Sequence, residues 1–196
     1  MKLLLRGTSD SIKKFCNLCS VSSSKHFNII RMKKYVKPLL WTLLALFVLA
    51  QFIRPARNLS NDQTNHISTK FPVPDTVAAI LKVACYDCHS NYTRYPWYAN
   101  VQPVAWWLAD HVEEGKRELN FSSFTTRKVA VQNKKLEEII EMVRKGEMPL
   151  PSFTWVHRDA ILSQGQKDML INWAQGCMDL LKANSPPDSL VLRRRG

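Results

Sequence analysis

At 196 residues the chain has room for one ordinary domain with appendages. Its formal net charge of +12 is concentrated in the stretch from Lys25 to Lys37 and in Arg193-Arg194-Arg195, while the centre is mixed in sign, as in Glu113-Glu114-Gly115-Lys116-Arg117-Glu118. That distribution excludes a nucleic-acid-binding face as the main partner surface, and the odd count of five cysteines excludes a simple disulfide framework.

Residues 1–31 show little helical period, and Met32-Lys33-Lys34 ahead of an apolar run reads as a complete N-terminus. The expectation is that Met32 is the native start and that 1–31 is an extension outside the native protein. Cys16-Asn17-Leu18-Cys19 lies in that extension. The apolar run Leu39 to Ile53, together with Val36 to Pro38, approaches the roughly 20 residues that span a bilayer. Lys25, Arg31, Lys33, Lys34 and Lys37 precede it, and only Arg54 and Arg57 follow closely. The positive-inside rule then predicts a single-pass anchor over 36–53, with the N-terminus in the cytoplasm and the following domain on the exported side. A cleavable signal ending at Val48-Leu49-Ala50 is the rival, but Phe52 and Ile53 carry the apolar stretch past it.

Residues 54–70 are polar and read as a linker. A domain over 71–183 follows, and 184–196 form a basic tail. Four helices are predicted in the domain. The first has Asp75 as N-cap and a stripe of Val77, Ile80, Leu81 and Ala84. The second opens near Pro103, with Val104, Trp107, Leu108, His111 and Val112 on one face. The third covers about 133–145 and ends at Gly146, with Leu136, Ile139, Ile140 and Val143 inward. The fourth opens at Ser163, with Gln166 completing a capping box and Leu170, Trp173, Ala174, Cys177 and Leu181 inward. Cys177 on that stripe reads as a buried thiol acting as a small hydrophobe. No stretch alternates as a strand does.

The chemistry lies in Cys85-Tyr86-Asp87-Cys88-His89. Cys-x-x-Cys-His is the attachment pattern of haem c. Two thiols add across the haem vinyl groups, and the adjacent histidine reaches the iron as proximal ligand. A bare Cys-x-x-Cys also occurs in redox dithiols and half zinc sites, and the histidine narrows the choice. The fold class predicted is all-α: a cytochrome c-like bundle of about four helices around a covalent haem, preceded by a transmembrane helix.

A distal ligand must come from elsewhere. Met148, in Gly146-Glu147-Met148-Pro149-Leu150-Pro151, is the candidate, on a loop that the prolines keep extended. Met142, Met169 and Met178 fall within helices and read as core. His111, on the apolar stripe of the second helix, is the alternative distal ligand. His157 reads as exposed, and His66 has no role. Arg94 and Trp97 follow the motif closely and are candidate propionate contacts.

The blocks Ala84-Cys85-Tyr86-Asp87-Cys88-His89-Ser90-Asn91, Arg94-Tyr95-Pro96-Trp97-Tyr98 and Gln102-Pro103-Val104-Ala105-Trp106-Trp107-Leu108 resemble a family of bacterial haem-binding domain proteins related to cytochrome c. Asp110 to Lys116, Gly146 to Pro149 and the N-terminal apolar segment are also similar to it. The resemblance covers about 32–178. It implies covalent haem c on Cys85 and Cys88 with His89 as proximal iron ligand and, with the anchor, a bacterial inner-membrane location with the domain in the periplasm; it implies no reaction.

The function expected is electron transfer by His/Met-ligated iron, since two protein ligands leave no open position. The partner expected is a redox protein. The alternatives are a peroxidase-like haem enzyme or a haem-based sensor with a labile sixth ligand. The sequence holds no second catalytic constellation.

Overall fold

The computed structural model describes residues 34–192, in two units that divide between Ile53 and Arg54. The extension 1–31, with Cys16 and Cys19, and the arginines of the tail lie outside the described residues.

In the first unit the apolar run is helical over 34–50 (α1). The bonds then tighten: the amides of Gln51, Phe52 and Ile53 reach back only three residues, to Val48, Leu49 and Ala50. Gln51 Nε2 also donates to the Phe47 carbonyl at 2.9 Å. Arg54 precedes Pro55, which disfavours helix at that position. The described helix is about 25 Å long, against a hydrocarbon core of about 30 Å. The anchor expected over 36–53 is therefore corrected, and with it the single-pass inner-membrane location with a periplasmic domain. Among the described residues, no helix is long and apolar enough to cross a membrane.

The second unit is helical, with no strand among the described residues. Its α-helices are α2 (Asp75–Ala84), α3 (Tyr86–His89), α4 (Val104–Glu118), α5 (Val129–Lys145), α6 (Pro151–Thr154) and α7 (Gln164–Asn184). The expected count of about four omitted the single-turn helices α3 and α6.

The long helices form for local reasons. In α2, Asp75 stands in the first turn, after an N-cap at Pro74 rather than as the cap itself. The Val77, Ile80, Leu81, Ala84 stripe is buried. α5 starts four residues earlier than its apolar period suggested, at Val129, and buries Leu136, Ile139, Ile140 and Val143. α7 opens with a full capping box between Ser163 and Gln166. It packs along α5, with Leu170, Ala174, Cys177 and Leu181 in the shared core. Each buried leucine among these contributes about 1.5–3 kcal/mol by leaving water.

α4 differs. Its buried residues are Ala105, Val112 and Gly115, while Trp107 is exposed. Val112 of the predicted face is buried as expected, but Trp107 is not, and it is Gly115 that meets Cys88 of α3.

The stretch 54–70 is folded against the domain. Asn58 Nδ2 donates to the Ser90 carbonyl (2.8 Å) and to Thr93 Oγ1 (3.0 Å), and Asn58 Oδ1 accepts from Lys116 Nζ (2.6 Å). Leu59 and Tyr92 form an isolated antiparallel bridge. Ile67 is wholly buried.

Candidate functional site

α2 ends at Ala84, and the chain turns directly into α3, which carries the motif. The amides of Cys88 and His89 both bond to the Cys85 carbonyl, at 3.2 and 2.9 Å, which closes the motif into one helical turn. Thr93 Oγ1 donates to the Asp87 carbonyl (2.6 Å). The Asp87 carboxylate is buried and accepts from the Arg94 amide (3.1 Å), from Arg94 Nε (3.1 Å) and from an Arg94 guanidinium nitrogen (3.0 Å). A two-pronged Arg–carboxylate contact of this kind fixes geometry as well as charge.

His89 is fixed from the other side. Its Nδ1 lies 2.9 Å from the Gly115 carbonyl and 3.0 Å from the Leu119 carbonyl. Carbonyl oxygens only accept, so Nδ1 carries the proton and Nε2 keeps its lone pair. Burial holds the His89 pKa below its ordinary value, against the raising effect of these two carbonyl bonds, and the Lys135 charge lowers it further. The imidazole is thus neutral and oriented, the state in which it ligates a metal.

Cys85 and His89 line a cleft of about 270 Å³. Phe121, Ile139, Met142, Val143 and Leu170 give it apolar walls, and Met148 is part of its lining. Gly146, at φ 73°, ends α5 in the left-handed region. The Glu147 and Met148 amides then fold back onto the Met142 carbonyl, at 2.9 and 3.3 Å. That reversal brings the loop methionine to the same cleft as the motif histidine.

Cys88 sits where α3 meets α4, with its carbonyl and Cβ against Gly115. Burial pushes the Cys85 thiol up to about 12 and the Cys88 thiol up to about 11; neighbouring Cys88 adds to the first and Asp87 to the second. Redox dithiols depend on a depressed thiol pKa, and these two are shifted the opposite way. Among the described residues, no group of three or more His, Cys, Asp or Glu is arranged to hold a bare metal ion.

The remaining sequence candidates lie outside the cleft lining. Arg94 is committed to Asp87. Trp97 is 79 % exposed, in a 3-10 turn. His111 bonds through Nδ1 to the Trp107 carbonyl (2.9 Å) and packs on the Trp107 ring. His157 stacks on Phe153, with centroids 4.1 Å apart. Sequence reasoning missed Lys135, which lines the cleft and bonds Glu118 Oε2 (3.2 Å) and Glu138 Oε2 (2.7 Å). It missed Gly115 and the carbonyls that hold His89 as well.

An apolar cleft with a neutral imidazole, a thioether and a thiol on its walls suits a flat, hydrophobic, metal-bearing macrocycle. The fold and site thus define a helical haem-binding protein. The chain belongs to the haem-binding domain family, whose sequence model matches residues 45–176. No curated protein and no solved structure matches it.

Proposed function

We propose that the domain carries one covalently attached haem c and transfers single electrons to a redox partner protein. Cys85 and Cys88 would hold the group by thioether bonds, each thiol adding its sulfur and its hydrogen across one vinyl group. His89 Nε2 would be the proximal ligand and Met148 Sδ the distal one. When bound, the haem supplies a one-electron change at iron.

The observation that carries this reading is that His89 and Met148 line one apolar cleft together with Cys85. The protein's own contributions follow from the geometry. The Gly115 and Leu119 carbonyls hold the imidazole tautomer and raise its basicity toward Nε2. The apolar walls keep water from the cleft. A thioether together with an imidazole favours the reduced state and leaves no position for a substrate, which suits a carrier better than an oxidase.

Optical spectroscopy of protein produced with haem-attachment machinery tests the axial pair. A six-coordinate low-spin spectrum is expected, and Met148→Ala should open the iron to carbon monoxide. Wild-type protein that already binds carbon monoxide readily would contradict the carrier reading and favour a haem enzyme or sensor.

A further inference from the structure

We infer that Lys135 is the propionate-binding residue of the cleft, its ammonium holding one haem carboxylate at the rim between α4 and α5. This rests on the haem occupying the cleft as proposed above.

A haem brings two carboxylates to a site with apolar walls, and an anion there is costly unless it is paired. Among the described residues that line the cleft, Lys135 is the one lysine or arginine. Its side chain is only 15 % exposed, which is unusual for lysine. Its carboxylate partners are wetter: Glu118 is 64 % exposed and Glu138 34 %. Glu118 and Glu138 line the cleft as well, but Lys135 is the more buried member of the cluster and the glutamates reach further into water.

An ammonium has three donors, and Glu118 and Glu138 account for two of them. The third suffices for an incoming carboxylate without dismantling the cluster. Glu118, at the last turn of α4, can also swing into water and release its donor. Neither cation-bearing nor donor side chain that the sequence suggested for this role competes: Arg94 is held by Asp87, and Trp97 lies outside the lining.

Resonance Raman spectroscopy of the haem-loaded protein reads this contact directly, through the propionate bending band. Lys135→Gln should shift the band to lower frequency, because a charged donor is replaced by a weaker one. Lys135→Arg should leave it near the wild-type position. Glu118→Gln, an exposed substitution that spares the fold, should shift the band upward by freeing Lys135. Should Lys135→Gln fail to fold, Glu118→Gln decides alone. A band unmoved by both Lys135→Gln and Glu118→Gln would overturn the inference and make Lys135 a tie between α4 and α5. Wild-type protein without attached haem would defeat the proposed function instead, so the two failures are distinct.

Discussion

No side chain fits between Gly115 and Cys88: a Cβ on residue 115 would stand 2.7 Å from the Cys88 carbonyl oxygen and 3.1 Å from the Cys88 Cβ. The same glycine accepts the His89 Nδ1 bond through its carbonyl. α4 therefore sets both the position of the motif and the orientation of its histidine. Backbone, not a flexible side chain, is what a substitution would strike. Gly115→Ala should cost about 1–3 kcal/mol of stability in denaturant titration. It should also lower the haem retained per chain.

The clasp between Asp87 and Arg94 should show energetic coupling. Asp87 is 9 % exposed and Arg94 47 %, so solvent screens the pair only from one side. Arg94→Ala leaves a buried carboxylate with the residue-94 amide and little else. A cost of about 1–3 kcal/mol is expected for it. The Asp87→Ala, Arg94→Ala double variant should cost less than the two single variants summed, by at least about 0.5 kcal/mol. Additive costs in urea unfolding would contradict the clasp.

His66 should confer a pH dependence. Its Nδ1 accepts from the Ser68 amide (3.2 Å), so protonation there removes an acceptor. Burial holds the His66 pKa below the ordinary 6.5. Between the two values the unfolded chain binds more protons than the folded one, so stability rises with pH. The unfolding temperature should fall as pH drops below about 6.5, and level off once the folded-state value is passed. His66→Asn, which keeps a capping acceptor without a titration, should remove this part of the profile.

Cys177 should be inert. It is buried at 2 % exposure on α7, and burial raises its pKa to about 12. Thiol reagents should label it only on unfolding. Cys177→Ser should cost about 1–3 kcal/mol, by placing a hydroxyl among apolar atoms, and should leave the haem content unchanged.

What the sequence made legible was local. The capping box at Ser163 and the buried stripes of α2, α5 and α7 depend on neighbours within one or two turns, and their spacing announces them. The motif and the Gly146 turn before Met148 are local in the same sense. The α4 face was not legible, because its packing partner is the backbone of α3, 26 residues away at the Gly115–His89 bond. A crossing that close selects Ala and Gly, which carry no hydrophobic period. Arg94 looked available for a propionate because its partner, Asp87, sits inside the motif and reads as a spacer. Lys135 stands beside Lys134 with no motif to mark it, and its ion pair with Glu118 at the end of α4 joins residues 17 apart. The polar composition of 54–70 suggested a linker, whereas the side-chain amides of Asn58 and Gln63 and the carbonyls of Asp62 and Asn65 bond to the domain. The apolar run looked long enough to span a bilayer until the turn at Gln51 and the Arg54-Pro55 pair cut its helix short.

Intact mass under denaturing conditions tests whether a haem is bound covalently through Cys85 and Cys88. Protein made with haem-attachment machinery should keep the mass of one haem after unfolding, carried on the peptide that contains Cys85 to His89, and Cys85→Ser, Cys88→Ser should abolish that addition. An unmodified chain mass, with any haem lost on denaturation, would rule out covalent attachment.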